Sequence, residues 1–286
     1  MTSLTRAALL TVAAAFFFTI ETIVVKSITD VPLATIVLAR SLGQLLWPMP
    51  AFLRDPVGLL RTRALGLQLF RGALSVLSWY MYFLAFSGLP LATATVLSFT
   101  AVLFVTALAG PVLGEHVRWR RWSATLVGFA GVLVILRPGA LPLDWAVAAA
   151  IGSALLGAGI VLTTKVLARS ERTDTIMLYI GLVAVAVSLP IAAPGLAWPG
   201  WGNLGLLALV MVCGPYAMQL WITSLRLADA SVLAPISYVR LVFAAGFGIA
   251  LFDEVPDWGL GVGAALIIGS AVYITRREAR LEKRAP

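Results

Sequence analysis

Four charged residues stand inside long apolar stretches of this sequence: Glu21, Arg40, Arg71 and Arg240. A charged side chain at the centre of a bilayer costs about 2.5–3.5 kcal/mol on insertion scales, so such residues usually bind substrates, carry protons or pair with each other. We predict that Glu21 and Arg240 either form an ion bridge or face an aqueous cavity and hold substrate. Arg40 is predicted to be structural. Arg71, close to the start of its stretch, is predicted to extend along its methylene stem to the membrane surface.

The chemistry of these groups suits a zwitterion. Glu21 is the only acidic residue well inside an apolar stretch. A zwitterionic amino acid requires an anionic partner for its ammonium group, and a planar guanidinium matches a carboxylate through two parallel hydrogen bonds. We therefore predict that Arg240 holds a substrate carboxylate. For Glu21, binding of an ammonium group, transfer of a proton and pairing with an arginine all stay open.

Polar side chains recur at helical spacing in two further stretches, which predicts either the lining of a polar cavity or hydrogen bonds between helices. One of these carries polar residues at positions i, i+3 and i+7 just after a proline. Aromatic side chains crowd together in a third stretch, which predicts either packing between helices or part of the site. With the charged positions included, the predicted substrate-binding residues are Glu21, Trp79, Tyr82, Ser98, Tyr216, Gln219, Ser237, Tyr238 and Arg240.

No catalytic, metal or cofactor site is predicted. Cys213 and His116 are each single residues of their type, which excludes a disulfide framework, haem ligation and zinc sites. No nucleophile is placed beside His116, and no glycine-rich phosphate loop with a following lysine occurs. The net charge of +8 does not indicate nucleic-acid binding, because the charges fall in short clusters between apolar runs and not in a stripe.

The elements that must position these residues are membrane-spanning helices. Of the 286 residues 60% are hydrophobic and only 12% are charged, and the mean hydropathy is +0.98. A helix needs about 20 mostly apolar residues to cross a bilayer. We predict an all-α integral membrane protein with ten transmembrane helices, over residues 6–27, 33–53, 66–87, 91–112, 121–137, 143–167, 175–193, 203–224, 231–251 and 258–275.

The loop charges predict how these helices are oriented in the bilayer. Most lysine and arginine residues fall in loops on one side, whereas the opposite side keeps only Lys26 and Arg137. Because basic loops stay in the cytoplasm, both termini are predicted to be cytoplasmic in a multi-pass protein of a bacterial-type inner membrane. A monomer is expected, with a dimer left open.

The chain also resembles itself at a single ungapped offset, the one that takes Lys26 to Lys165, and this offset is called the repeat shift below. The self-resemblance predicts duplication of a five-helix unit. Five is an odd number, so the second copy must enter the membrane from the opposite side. Residues 1–139 and 140–286 are therefore predicted to be inverted repeats within one membrane domain, with a binding site near the midplane between them. The repeat shift aligns Lys26 with Lys165, Ser98 with Ser237, Phe104 with Phe243, Glu115 with Glu254, Trp119 with Trp258 and Arg137 with Arg276.

Motifs in both halves resemble the EamA-type repeat of the drug/metabolite transporter superfamily. They are Leu89–Ala94, Leu97–Thr100, Gly114-Glu115, Arg120–Trp122, Ala228–Ser231, Pro235–Tyr238 and Phe252–Glu254. The resemblance implies ten helices, two inverted repeats and movement of small organic metabolites. Within the superfamily, bacterial amino-acid exporters of the YddG type are the nearest comparison.

Together these features predict a secondary-active transporter that exports small metabolites by alternating access, with amino acids as the first choice of substrate. Another metabolite, such as S-adenosylmethionine or a nucleotide-type solute, and efflux of cationic drugs are the alternatives. A membrane enzyme is a more distant alternative. The expected partners are the small-molecule substrate and the lipid bilayer.

Overall fold

The computed structural model describes residues 3–28, 30–88, 91–136, 145–252 and 258–282. Within these ranges the chain is almost entirely helical and no strand occurs. Two 3₁₀ turns lie at Ala193–Gly195 and Pro235–Tyr238. The α-helices are α1 (Ser3–Ser27), α2 (Leu33–Leu46), α3 (Met49–Arg54), α4 (Pro56–Leu60), α5 (Leu65–Gly88), α6 (Leu91–Leu113), α7 (Trp119–Leu136), α8 (Trp145–Ala168), α9 (Thr173–Ala192), α10 (Gly200–Leu227), α11 (Ala230–Leu233), α12 (Val239–Phe252) and α13 (Trp258–Glu282).

Each of the ten predicted spans corresponds to one of these helices or to a broken helix. Among the described residues, α1, the α2–α3 segment, α8, α9 with the turn that follows it, and α10 are long and apolar enough to cross a membrane. Two shorter apolar stretches cover residues 97–113 and 230–244. The prediction of an all-α membrane protein is confirmed.

Two spans that were predicted as continuous helices, 33–53 and 231–251, are broken at prolines. The first divides into α2 and α3 because Pro48 has no N–H to donate to the carbonyl of Gln44 and its ring crowds that carbonyl. The second consists of α11, a 3₁₀ turn that begins at Pro235, and α12. Hydropathy alone could not locate these breaks, since both sides of each proline are apolar.

The helices pack in pairs that are related by the internal repeat. The repeat shift carries α1 onto α8 and α5 onto α10. Accordingly α1 packs against α10 as α8 packs against α5, and α2 packs against α10 as α9 packs against α5. Two pairs, α2 with α9 and α7 with α13, are each made of a helix and its own repeat equivalent. This pattern is that of two inverted five-helix units around a pseudo-two-fold axis.

Glycines permit two close helix crossings that are related by the internal repeat. A side chain at Gly43 of α2 would overlap the backbone of Met211 on α10, and one at Gly72 of α5 would overlap Val183 on α9. Since the repeat shift aligns Gly72 with Met211, these two crossings are equivalent. Pro215 lacks the N–H that would bond to the carbonyl of Met211, and this carbonyl faces Gly43.

A buried carboxylate holds the start of α11. Gly114 adopts a left-handed conformation with φ of +71°, which ends α6 and is followed by Glu115. The carboxylate of Glu115 accepts hydrogen bonds from the N–H of Ala230 at 2.9 Å, the N–H of Ser231 at 3.1 Å and the hydroxyl of Ser231 at 2.6 Å. Arg121 donates to the same hydroxyl at 2.8 Å. Because a helix N-terminus favours a negative charge, this cap fixes where the broken ninth span begins.

Candidate substrate-binding site

An ion pair joins α1 to α2 inside the bundle. Arg40 Nε donates to Glu21 Oε1 at 2.6 Å, and the two side chains are only 14% and 9% exposed. The carboxylate of Glu21 also packs against α10, where a side chain at Gly214 would overlap it. The arginine that pairs with Glu21 is therefore Arg40, and Arg240 is not its partner. The ion bridge between Glu21 and Arg240, one of the two predicted interpretations, is wrong.

The guanidinium of Arg40 also lies on an aromatic ring of α5. Its Cζ is 3.9 Å from the centroid of the Trp79 ring, which is a cation–π contact. Arg40 Nη1 is buried and has no hydrogen-bond partner among the described residues. The cluster formed by Glu21, Arg40 and Trp79, called the ion-pair cluster below, thus combines a carboxylate, an unused charged donor and an aromatic ring.

The polar stripe of α10 faces α1 and α2. Trp47 Nε1 donates to Gln219 Oε1 at 2.8 Å. The ring of Tyr216 packs edge-on against Phe17, with centroids 4.7 Å apart, and lies 5.8 Å from the ring of Trp47. Thr223 donates to the carbonyl of Gln219 within its own helix. Tyr216 and Gln219 therefore connect helices of the two repeats. They lie on α10, the helix that Glu21 also contacts.

Arg240 lies beside a neighbouring face of α1. Its Nη2 donates to Thr22 Oγ1 at 2.6 Å, and its Cζ is 5.8 Å from the centroid of the Phe18 ring. The hydroxyl of Tyr82 hydrogen-bonds to the side chain of Ser98. Two of the predicted residues, Tyr82 and Ser98, thus form a polar pair between α5 and α6, and a third, Arg240, contacts α1.

The two other predicted residues of the ninth span lie apart from the ion pair. The hydroxyl of Ser237 donates to the carbonyl of Ala234 at 2.6 Å, a bond within the broken span itself. Tyr238 is fully buried in the largest apolar core, 5.6 Å from the ring of Phe99 and 6.4 Å from that of Phe129. Tyr238 therefore packs among apolar side chains of α6 and α7.

The prediction that Arg71 extends to the membrane surface is wrong. Its side chain is fully buried, with Nε donating to Thr164 Oγ1 at 3.0 Å and Nη1 to Ser75 Oγ at 2.8 Å. Nη2 lies 3.4 Å from the sulfur of Met218. The residue faces α8 and α10, so its stem cannot follow the lipid to the interface. Sequence position gives the depth of a residue but not the direction it faces.

Gln68, Trp47 and the burial of Arg71 were not predicted from the sequence. Gln68, Arg71 and Ser75 fall at positions i, i+3 and i+7 of α5 and are all buried. This is the spacing that singled out the stripe on α10, so the same signal was present. The pairing of Trp47 with Gln219 joins residues far apart in the sequence and left no local signal.

The side chains gathered here provide binding groups and no metal centre. Among the described residues, no group of three or more His, Cys, Asp or Glu could hold a metal ion. Cys213 is buried beside Gly214 and is the only cysteine of the sequence. The chemistry on offer is ionic, hydrogen-bonding and aromatic, which suits reversible binding of a solute.

Two inverted five-helix repeats with charged and aromatic side chains between them define a membrane transporter. The chain belongs to the EamA-like transporter family, whose model matches it twice, over residues 5–137 and 144–276. The second match is displaced from the first by the repeat shift, the same offset that carries Lys26 onto Lys165. The division between residues 139 and 140 lies outside the described residues and stays a prediction.

Curated relatives are transporters of several kinds of solute. The S-adenosylmethionine uptake transporter of Rickettsia bellii is 31% identical over 77% of this chain and 75% of its own length. The riboflavin transporter of Rhizobium johnstonii is 30% identical over 84% of this chain and 80% of its own. The pseudopaline exporter CntI of Pseudomonas aeruginosa is 29% identical over 94% and 95%. These relatives include both uptake and export proteins, so family membership leaves the direction of transport open.

A solved crystal structure of another protein has the same fold. It superposes with a TM-score of 0.83 at 22% sequence identity, covering 97% of this chain and 99% of the other. At that identity the likeness concerns the fold alone. The arrangement of the described helices is thus one that a solved structure also has.

Proposed function

We propose that this transporter is secondary-active and exports small metabolites that carry an amino and a carboxyl group, with amino acids as the first choice, across a bacterial-type inner membrane by alternating access. The observation that carries the proposal is the ion-pair cluster. Its guanidinium, which has one donor without a partner among the described residues, contacts both a carboxylate and an aromatic ring, and the three groups lie on three different helices.

Each group of a zwitterion has a matching group in this cluster. Glu21 accepts hydrogen bonds from the ammonium of the solute, and the free Nη1 of Arg40 donates to its carboxylate. Trp79 offers an aromatic face to the remainder of the solute. Arg240, held by Thr22 on the same helix α1, is the second guanidinium that we assign to the carboxylate.

Exchange of partners explains how a zwitterion enters at low cost. In the structure Glu21 and Arg40 neutralise each other. A zwitterion inserted between them gives each group a new partner of opposite charge, and the net charge in the membrane does not change. The desolvation penalty of a buried charge is therefore compensated throughout binding and release.

S-adenosylmethionine is the second candidate solute, because it has the same amino-acid head group together with a purine ring. The aromatic group of Phe17, Trp47 and Tyr216, with the amide of Gln219, would accept such a ring by stacking and hydrogen bonding. The relative from Rickettsia bellii is named for this solute. Cationic drugs are disfavoured, because the charged residues well inside the predicted spans are mostly arginines.

The test is a solute panel in proteoliposomes that contain the purified full chain. Labelled amino acids, S-adenosylmethionine, riboflavin and a cationic dye are offered with and without a proton gradient, and the recovered label is analysed chemically. We expect saturable exchange of at least one amino acid, accelerated by the gradient, with the label unchanged. Exchange of none of the amino acids would refute the proposal, and altered label would indicate an enzyme.

Two matched variants sharpen this assay. Arg40→Gln removes the guanidinium of the ion-pair cluster, whereas Arg172→Gln removes an exposed guanidinium that pairs with Asp55 at 2.8 Å. We expect Arg40→Gln to abolish exchange of amino acids and Arg172→Gln to keep it. Equal activity of the two variants would place substrate binding elsewhere. The direction of transport follows from comparing right-side-out with inside-out vesicles.

A further inference from the structure

We infer that Arg71 forms a second anion-binding site, separate from the ion-pair cluster, that takes a small monovalent anion such as a carboxylate or chloride. The site lies between α5, α8 and α10 and consists of the guanidinium of Arg71 and the amide of Gln68. This inference goes beyond the proposed function, because it does not require the transported solute to be an amino acid.

The charge of Arg71 has no counter-ion among the described residues. Its side chain is fully buried, and a guanidinium does not lose its proton in a protein. Its three hydrogen-bond partners are the hydroxyls of Thr164 and Ser75 and the sulfur of Met218, all of them neutral. A thioether is a weak acceptor. Buried charges in proteins are normally paired, so this guanidinium requires an anion.

The amide next to Arg71 is also without partners. Gln68 precedes Arg71 by three residues on the same helix, so the two side chains lie on one face of α5. Gln68 is fully buried, and neither its Nε2 nor its Oε1 has a hydrogen-bond partner among the described residues. A buried amide left unpaired costs free energy. An oxyanion held by Arg71 would accept a hydrogen bond from the free N–H of Gln68.

The ion-pair cluster does not supply the missing negative charge. Glu21 pairs with Arg40, and the hydrogen bonds of Arg71 among the described residues are to Thr164, Ser75 and Met218 alone. Arg40 is close enough for its positive charge to act on Arg71, which makes a bound anion more favourable still. The two sites contact α10 one helical turn apart, the carboxylate of Glu21 at Gly214 and the guanidinium of Arg71 at Met218.

The internal repeat indicates that the fold does not require these polar groups. Under the repeat shift, Gln68 corresponds to Leu207 and Arg71 to Val210, which are buried apolar residues of α10. Where α10 crosses α1, the position equivalent to Arg71 is thus uncharged, although Arg71 itself places a charge where α5 crosses α8. A side chain that the packing does not need, and whose charge is left unbalanced, is expected to serve a ligand.

The experiment measures the melting temperature of the purified full chain at constant ionic strength, with gluconate replaced stepwise by chloride or by acetate. We expect a saturable rise in the wild-type Tm with either small anion. Arg71→Gln should lose this rise, whereas Arg120→Gln, an exposed control, should keep it. A wild-type Tm that is the same in all three salts would overturn the inference, as would an unchanged rise in Arg71→Gln.

Gln68→Leu provides a second variant in case Arg71→Gln does not fold. Leucine is the residue at the equivalent position 207, so the substitution fits the packing of the other repeat. We expect it to fold and to need several-fold more acetate for the same rise in Tm. A full response of Gln68→Leu, combined with failure of Arg71→Gln to fold, would mean that Arg71 is structural and would refute the site.

Transport assays distinguish the two sources of the anion. If the carboxylate of the transported solute occupies the site, chloride competes with the solute and Arg71→Gln raises its KM. If a free inorganic anion occupies the site, replacing chloride by gluconate slows transport at saturating solute, and Arg71→Gln removes this dependence. Both outcomes support an anion site at Arg71.

Discussion

The carboxylate of Glu21 and the guanidinium of Arg40 lie 2.6 Å apart, on helices that are neighbours in sequence. Both side chains are largely buried, and the pair is completed by the ring of Trp79 from a third helix. A buried ion pair is strongly destabilised when one partner is removed alone, by about 3–5 kcal/mol in soluble proteins. The pair can therefore be tested through stability and through transport separately.

Glu21→Gln is expected to weaken both gradient-driven transport and solute exchange by about 10–100-fold, since a hydrogen bond to a charged group contributes about 1.5–3 kcal/mol. The two rates are measured in the same proteoliposomes, with the gradient imposed or collapsed. Loss of gradient-driven transport with intact exchange would contradict ammonium binding and indicate instead that Glu21 carries the coupled proton.

The stability of the same variant is expected to fall, because Arg40 is left as a buried charge without its partner. The double variant Glu21→Gln/Arg40→Gln should regain much of the lost melting temperature, since it removes both charges. It should not regain transport. A double variant less stable than either single one would show that the two residues contribute independently and do not act as a pair.

Arg240→Lys should insert and melt like the wild type but transport amino acids poorly. Lysine keeps the charge but loses the planar fork that binds a carboxylate through two hydrogen bonds. The contact of Arg240 with Thr22 is a single hydrogen bond, which an ammonium also makes. Wild-type transport by this variant would remove Arg240 from the site, and failure to fold would assign it a structural role.

Glu115→Gln should lower the melting temperature, because both oxygens of its carboxylate accept hydrogen bonds at the start of α11, and the amide nitrogen that replaces one of them cannot accept any. The loss of a charge at a helix N-terminus adds to this effect. The neighbouring His116 is exposed, so His116→Ala is the matched control and should melt like the wild type. Equal melting of all three proteins would refute the capping role.

Gly43→Ala should destabilise the protein, since the added methyl group would overlap the backbone of Met211, which cannot move aside like a side chain. Gly66→Ala is the matched control within a helix, because nothing lies near the added methyl group there. It should be neutral or stabilising by up to about 1 kcal/mol, as alanine is the better helix former. Thermal melting of both variants, with detection of the folded monomer, makes the comparison.

The orientation predicted from loop charges is tested by alkaline-phosphatase fusions. A fusion after Pro199 should be active and one after Arg284 inactive, because the enzyme folds only outside the cytoplasm. Pro199 precedes α10, at the end that should face outwards, whereas Arg284 lies beyond the described residues and is placed from the sequence. The reverse pattern of activity would invert the assignment of both termini.

The apolar lengths, the repeat and the family all followed from the sequence. Spans are local features, since about 20 consecutive apolar residues suffice to cross a bilayer whatever their neighbours are. The repeat follows from comparing the chain with itself, and the match of the family model to 5–137 and 144–276 has the same offset. Pro48 and Pro235 can be read from the sequence, but the helix breaks at these prolines could not be predicted. Prolines also occur inside helices of this protein, as at Pro215.

Which side chains meet across the bundle was decided only by the tertiary structure. Depth in the membrane can be counted along the chain, but the direction that a residue faces depends on which helices pack on either side of it. The sequence therefore could not show that Glu21 pairs with Arg40 and not with Arg240. Nor could it show that Arg71 faces the interior and not the lipid. Both follow only from the placement of α1, α2, α5 and α10. Apolar helices pack through shape, and shape is a property of the assembled bundle that no single stretch of residues contains.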